Sequence, residues 1–83
     1  MPTRTIEWAG QPRKFLADAE KVTAKRIIQA MKRFVDTGLG DVRKLRGVDG
    51  SFRLRVGDYR VIFALVPDGV LVEKIGHRRD VYE

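Results

Sequence analysis

The sequence predicts an α+β fold: two N-terminal helices forming a hairpin, packed on a mainly antiparallel, twisted four-stranded sheet. Three observations carry this expectation. Apolar and polar residues alternate from Ser51 to Val56, a Gly57-Asp58 pair interrupts, and alternation resumes at Tyr59, which is the period-2 signature of a β-hairpin. Between Val22 and Asp36, the residues Ala24, Ile27, Ile28, Met31, Phe34 and Val35 recur at helical spacing and form one apolar stripe. Pro67-Asp68-Gly69 marks a second tight turn before another β-rich run.

The hairpin fixes side-chain faces by counting. With Gly57-Asp58 as the loop, Val56 sits opposite Tyr59, Arg55 opposite Arg60, Leu54 opposite Val61 and Arg53 opposite Ile62. Phe52, Leu54, Val56, Tyr59, Val61, Phe63 and Leu65 then share the core face. Arg53, Arg55 and Arg60 emerge together on the other. Like charges across a strand pair destabilise it by up to about 1 kcal/mol, so this cluster needs a reason. Two readings fit: a solvated outer face on which arginine stems cover apolar surface, or an anion site. Phosphate suits arginine, whose planar fork makes bidentate charge-assisted bonds.

The remaining elements follow in order. Residues 3–8 read as a short first strand, with Ile6 and Trp8 towards the core. Gly10-Gln-Pro12 breaks it, and Pro12 suits the first turn of a helix, where its missing N–H costs nothing. A short helix runs from Pro12 to about Ala19 with Phe15, Leu16 and Ala19 on one side. The stronger helix spans roughly Val22 to Asp36 and ends at Gly38, which tolerates the positive φ of a C-terminal cap. No Gly or Pro marks a break at Glu20-Lys21. The basic side of this helix (Lys21, Lys25, Arg26, Lys32, Arg33) reads as a solvated face. Residues 39–50 form a connection in which Lys44 to Arg46 are expected to be extended, and Val70–Ile75 is the last strand. If Ile75 and Leu71 face the helices, Glu73 must do so too, unless a bulge intervenes.

The chain has 83 residues, 43% of them apolar, which suits one domain over 1–83. It has no cysteine, so a disulfide framework and a thiolate metal site are excluded. Charges interrupt every apolar run, leaving no signal peptide or membrane-spanning helix, and a cytoplasmic protein with no membrane partner is expected. Seventeen Lys and Arg against eleven Asp and Glu give a formal charge of +6 and a pI near 10.2. That balance favours nucleic acid or an acidic protein as partner. The one histidine, His77, lies beside Arg78 and Arg79 just after the last strand; it reads as a structural or exposed residue, or as a proton carrier near neutral pH.

Strand, helical hairpin, then Lys44-Leu-Arg-Gly47, Phe52-Arg-Leu-Arg55, Gly57-Asp-Tyr-Arg-Val-Ile62 and Ile75-Gly-His-Arg-Arg-Asp-Val-Tyr82 resemble the RelE branch of the RelE/ParE toxin superfamily, over essentially the whole chain. The resemblance implies a type II toxin: a ribosome-dependent mRNA interferase that cuts mRNA in the ribosomal A site and is silenced by a cognate antitoxin. It implies no metal and no cofactor. The 2′-hydroxyl attacks the adjacent phosphate, giving a 2′,3′-cyclic phosphate and a free 5′-hydroxyl. The family's catalytic positions fall on Arg53, Arg55, Arg60, Arg78 and Tyr82, with Lys44, Arg46 and Arg79 as RNA or ribosome contacts. Some relatives carry lysines where this chain has Arg53 and Arg55, and a guanidinium is not deprotonated in proteins. His77 is then the candidate general base or acid. The partners implied are antitoxin, ribosome and A-site mRNA, with a toxin–antitoxin heterotetramer expected. The alternatives are a ParE-like DNA gyrase poison acting by binding alone, and a degenerate, inactive toxin that only binds its antitoxin.

Overall fold

A computed structural model describes residues 4–45 and 50–79. Seven elements follow in the order β1 (Thr5–Trp8), α1 (Gly10–Asp18), α2 (Lys21–Thr37), β2 (Asp41–Lys44), β3 (Ser51–Val56), β4 (Tyr59–Val66) and β5 (Gly69–His77). The strands form one sheet in the order β1-β5-β4-β3-β2. Three of its neighbouring pairs are antiparallel, and β1 runs parallel to β5. The sheet is therefore mixed and five-stranded rather than four-stranded, and a strand precedes the helices. The additional strand is β2, in the stretch read as a connection. Its Asp-Val-Arg-Lys sequence offers a single apolar residue, so period-2 alternation cannot announce it; pairing with β3 creates it.

The hairpin register is the one counted from sequence: Val56 opposite Tyr59, Arg55 opposite Arg60, Leu54 opposite Val61, Arg53 opposite Ile62. Gly57 takes φ 58°, the positive value that the first loop residue of a II′ turn requires. Both helices pack on the same face of the sheet. Ile27, Met31 and Val35 of α2 join Leu54, Val61, Phe63, Val70, Val72 and Ile75 in one core, with Phe15 and Leu16 of α1 at its margin. Phe63 is its centre, 5.2 Å from Phe34 and 5.7 Å from Phe52 between ring centroids. Leu65 shares this face by parity but is 58% exposed.

The helical break falls at Ala19-Glu20, where both residues take extended ψ (161° and 145°). Neither is a breaker. Tertiary packing separates the two helices, because each must lay its own apolar stripe on a twisted sheet. Gly38 caps α2 at φ 76° and donates its N–H to the Phe34 carbonyl. Along β5 a bulge shifts the register between Ile62 and Phe63, which oppose Lys74 and Val72 respectively, so Glu73 is the extra residue. The core side chains of β5 are Val70, Val72 and Ile75. Leu71 therefore leaves the helix side, contrary to the expected parity, and the bulge resolves the position of Glu73.

Two local devices fasten β1 and α1 to β5. Gly69 pairs with Thr5, and a Cβ at Gly69 would collide with the Thr5 carbonyl. Pairing between β1 and β5 stops at Val72. Beyond it, the Gln11 side chain of α1 takes the place of a strand, donating to the Ile75 carbonyl at 2.8 Å and accepting from the Ile75 N–H at 2.9 Å.

Candidate functional site

The face turned away from the helices carries the arginines. Arg53 and Arg60 are only 6% and 7% exposed, although both helices lie on the other side of the sheet. Burying a guanidinium is costly unless it is paired and hydrogen-bonded. Arg53 Nη2 lies 3.6 Å from Asp41 Oδ1 on β2. Arg60 Nη1 donates to the Gly57 and Tyr59 carbonyls at 3.4 and 3.2 Å, folding the side chain back over its own turn. Arg55, opposite Arg60 on one side and Asp41 on the other, is exposed. The result is two guanidinium groups set in place by neighbours and a third reaching into solvent. Such preorganised cations stabilise developing negative charge without reorganising at the moment of reaction.

Cross-strand partners share a face, so register extends the map. Arg43 lies opposite Arg53, and Lys74 opposite Ile62. Glu73 accepts the Ser51 hydroxyl at 3.1 Å on this same face. Sequence reading missed Arg43 because β2 carried no strand signal. It missed Lys74 because the bulge has no signature of its own. Gln11 read as part of a chain break, although it completes the edge of β5.

His77 stands elsewhere. It is the register partner of Tyr59, and the rings meet edge-to-face at 5.8 Å; Tyr59 in turn meets Phe15 of α1 at 5.8 Å. The row of Arg60 ends instead at Gly76. Alternation thus sends His77 to the helix side, and the structure does not bring it together with Arg53, Arg55 and Arg60. It lines an open cleft of about 760 Å³ with Gln11, Phe15, Thr23 and Tyr59, rimmed by Lys14, Asp18 and Glu20. The Arg79 N–H donates to His77 Nδ1 at 3.4 Å. Arg78 and Arg79 are exposed, and the Arg78 N–H donates to the Asp58 carbonyl at 2.7 Å, tying the end of β5 to the hairpin loop. Lys44 is exposed but pairs with Phe52, on the opposite parity from the arginines. Arg46 and Tyr82 lie outside the described residues. Among the described residues, no group of three or more His, Cys, Asp or Glu side chains could hold a metal ion, and no helix is long and apolar enough to cross a membrane.

Comparison with known proteins gives the fold a family. Residues 6–82 match the family described as "ParE toxin of type II toxin-antitoxin system, parDE". The chain belongs to the ParE toxin family. Its wider RelE-like relationship is visible in both sequence and structure. Toxin RelE3 of Methanocaldococcus jannaschii is 30% identical over 43 residues, a stretch covering 52% of this chain and 49% of that protein, so the match spans about half of the relative's length. The archaeal RelE–RelB complex of Pyrococcus horikoshii contains a chain that superposes with TM-score 0.74 at 25% identity, over 95% of this chain and 99% of the other. The E. coli DinJ–YafQ toxin–antitoxin complex has the same fold, with TM-score 0.74, 21% identity and 98% and 99% of the two chains covered. The ParE-family chain presents, on a RelE-like sheet, a face built around Arg53, Arg55 and Arg60 that no described helix covers.

Proposed function

We propose that this protein is the toxin of a type II toxin–antitoxin pair and an mRNA interferase that cuts mRNA in the ribosomal A site. The observation that carries the reading is the pair of buried arginines, Arg53 and Arg60, flanking exposed Arg55 on a face that no described helix covers. RelE-like relatives and solved toxin–antitoxin complexes of the same fold support it.

In the proposed step, the RNA 2′-oxygen attacks the adjacent phosphorus and the bond from phosphorus to the 5′-oxygen breaks. The 2′-hydroxyl proton passes to solvent water, and the departing 5′-oxygen takes up a proton from solvent. The products are a 2′,3′-cyclic phosphate and a 5′-hydroxyl. Arg60 and Arg55 neutralise the pentacoordinate phosphorane, Arg78 assists the leaving oxygen, and Tyr82 stacks on a splayed base. Because guanidinium groups cannot serve as a base and His77 belongs to the other side of the sheet, most of the acceleration comes from charge stabilisation and from the ribosome holding the RNA in near-attack geometry. Lys44, Arg46 and Arg79 supply outlying contacts to RNA or ribosome. The protein works in the cytoplasm, and an antitoxin covering the arginine face silences it in a heterotetramer.

The ParE name of the matched family keeps a second reading in view, a DNA gyrase poison that acts by binding. Primer extension in a ribosome-loaded translation extract separates the two. The interferase produces cuts within the A-site codon that disappear with Arg60→Ala, whereas a gyrase poison leaves mRNA intact and damages DNA.

A further inference from the structure

We infer that Lys74 and Arg43 extend the arginine face into a phosphate track running across four strands. The inference rests on the RNA-binding reading of this face and adds two residues to it.

The bulge carries the inference. Val70 and Val72 point into the core, and strict alternation would send residue 74 after them, placing a lysine ammonium beneath the helices. The extra residue Glu73 resets the parity: Lys74 pairs with Ile62 on the arginine face, and Ile75 returns to the core. Bulges re-aim side chains in this way. Lys74, Ile62, Arg53 and Arg43 then form one row straight across β5, β4, β3 and β2. Three strand spacings put the terminal cations about 14 Å apart at Cα, both exposed, with buried Arg53 between them. The neighbouring row ends at Gly76, which places no side chain beside Arg60.

The two carboxylates near this row are already engaged, Asp41 with Arg53 and Glu73 with Ser51. Cations ranged on one face repel one another, and a chain of phosphates relieves that repulsion at several points at once. An acidic protein segment does the same, but the exposed guanidinium forks of Arg43 and Arg55 match the planar, bidentate geometry of phosphate oxygens. Single-stranded RNA is the ligand we assign.

The test uses the full chain and a 2′-O-methyl single-stranded RNA, which cannot be cut because its 2′-oxygens are blocked. Fluorescence anisotropy is followed from about 50 to about 200 mM salt, where each phosphate contact on a single strand contributes about 0.7 to the slope of log affinity against log salt. Lys74→Gln and Arg43→Gln each lower the slope by about 0.7, the double variant by about 1.4, and Lys14→Gln on α1 leaves it unchanged. A normal wild-type slope that survives both substitutions overturns the track alone. A wild-type protein that binds with no salt slope overturns the RNA reading of the face and the track with it. Weakened capture of a polyglutamate peptide with an intact RNA slope would assign the row to an acidic protein segment and also refute the proposal.

Discussion

Replacing Gln11 with alanine removes the only described side chain that bonds the Ile75 main chain. The N–H and C=O of Ile75 point to the flank of β5 where β1 has ended, and both bond the Gln11 amide, at 2.9 and 2.8 Å. Ile75 is 1% exposed. A buried backbone group left without a partner costs about 1–3 kcal/mol. Gln11 is itself at the surface, so water reaches part of the vacated space and the lower end of that range applies to each group. The sum is about 2 kcal/mol, equivalent to a fall in Tm of about 8–16 °C for a domain of this size. Thermal melts followed by far-UV circular dichroism measure it. Gln11→Glu keeps an acceptor for the Ile75 N–H but sets a second oxygen against the carbonyl, so it should recover no more than half of the loss. An alanine variant melting within about 2 °C of wild type would refute the strand-substitute role of this side chain.

Other expected outcomes follow from particular contacts. Gly69→Ala drives a methyl into the Thr5 carbonyl and should cost about 3 kcal/mol, at the upper end of ordinary point substitutions; hydrogen exchange would report lost protection at the Thr5 and Ala9 amides, which bond Asp68 and Val72. Met31→Ala, at a side chain with 0% exposure, should lower stability by about 2–5 kcal/mol in urea titrations. Asp41→Asn weakens the ion pair with Arg53, and because the carboxylate is 51% exposed the loss should stay near 1 kcal/mol and shrink in high salt. His77→Asn should change cleavage by less than about tenfold, since the ring lies with Tyr59 on the helix side; single-turnover rates measure this, and a loss as large as that expected for a charge-stabilising arginine, about 10²–10³-fold, would place His77 in the chemistry.

The parts legible in the sequence are those governed by local rules. A two-residue turn with alternation on both sides gives register, and register alone assigns Arg53, Arg55 and Arg60 to one face. The 3.6-residue stripe on α2 identifies Ile27, Met31 and Val35, and Gly38 announces its cap. What escaped is set by contacts distant in the chain. Asp41–Lys44 becomes a strand only because β3 offers an edge, and the parallel pairing of β1 joins Thr5 to Gly69, far along the chain. The break at Ala19-Glu20 comes from packing rather than from a helix breaker. The bulge at Glu73 was anticipated only as a way out of a parity conflict, and its effect on Lys74 follows from three-dimensional pairing. His77 illustrates the same limit: proximity in sequence to Arg78 suggested a shared site, whereas alternation along β5 puts its ring beside Tyr59.

The most direct measurement is the single-turnover cleavage rate of ribosome-bound mRNA for wild type, Arg60→Ala and Arg13→Ala. Both substitutions remove one arginine, but Arg13 is exposed on α1, which packs on the opposite face of the sheet. Charge stabilisation by Arg60 predicts a rate lower by about 10²–10³-fold with Arg60→Ala and an unchanged rate with Arg13→Ala. Equal rates for all three proteins, or equal losses in both variants, would contradict it.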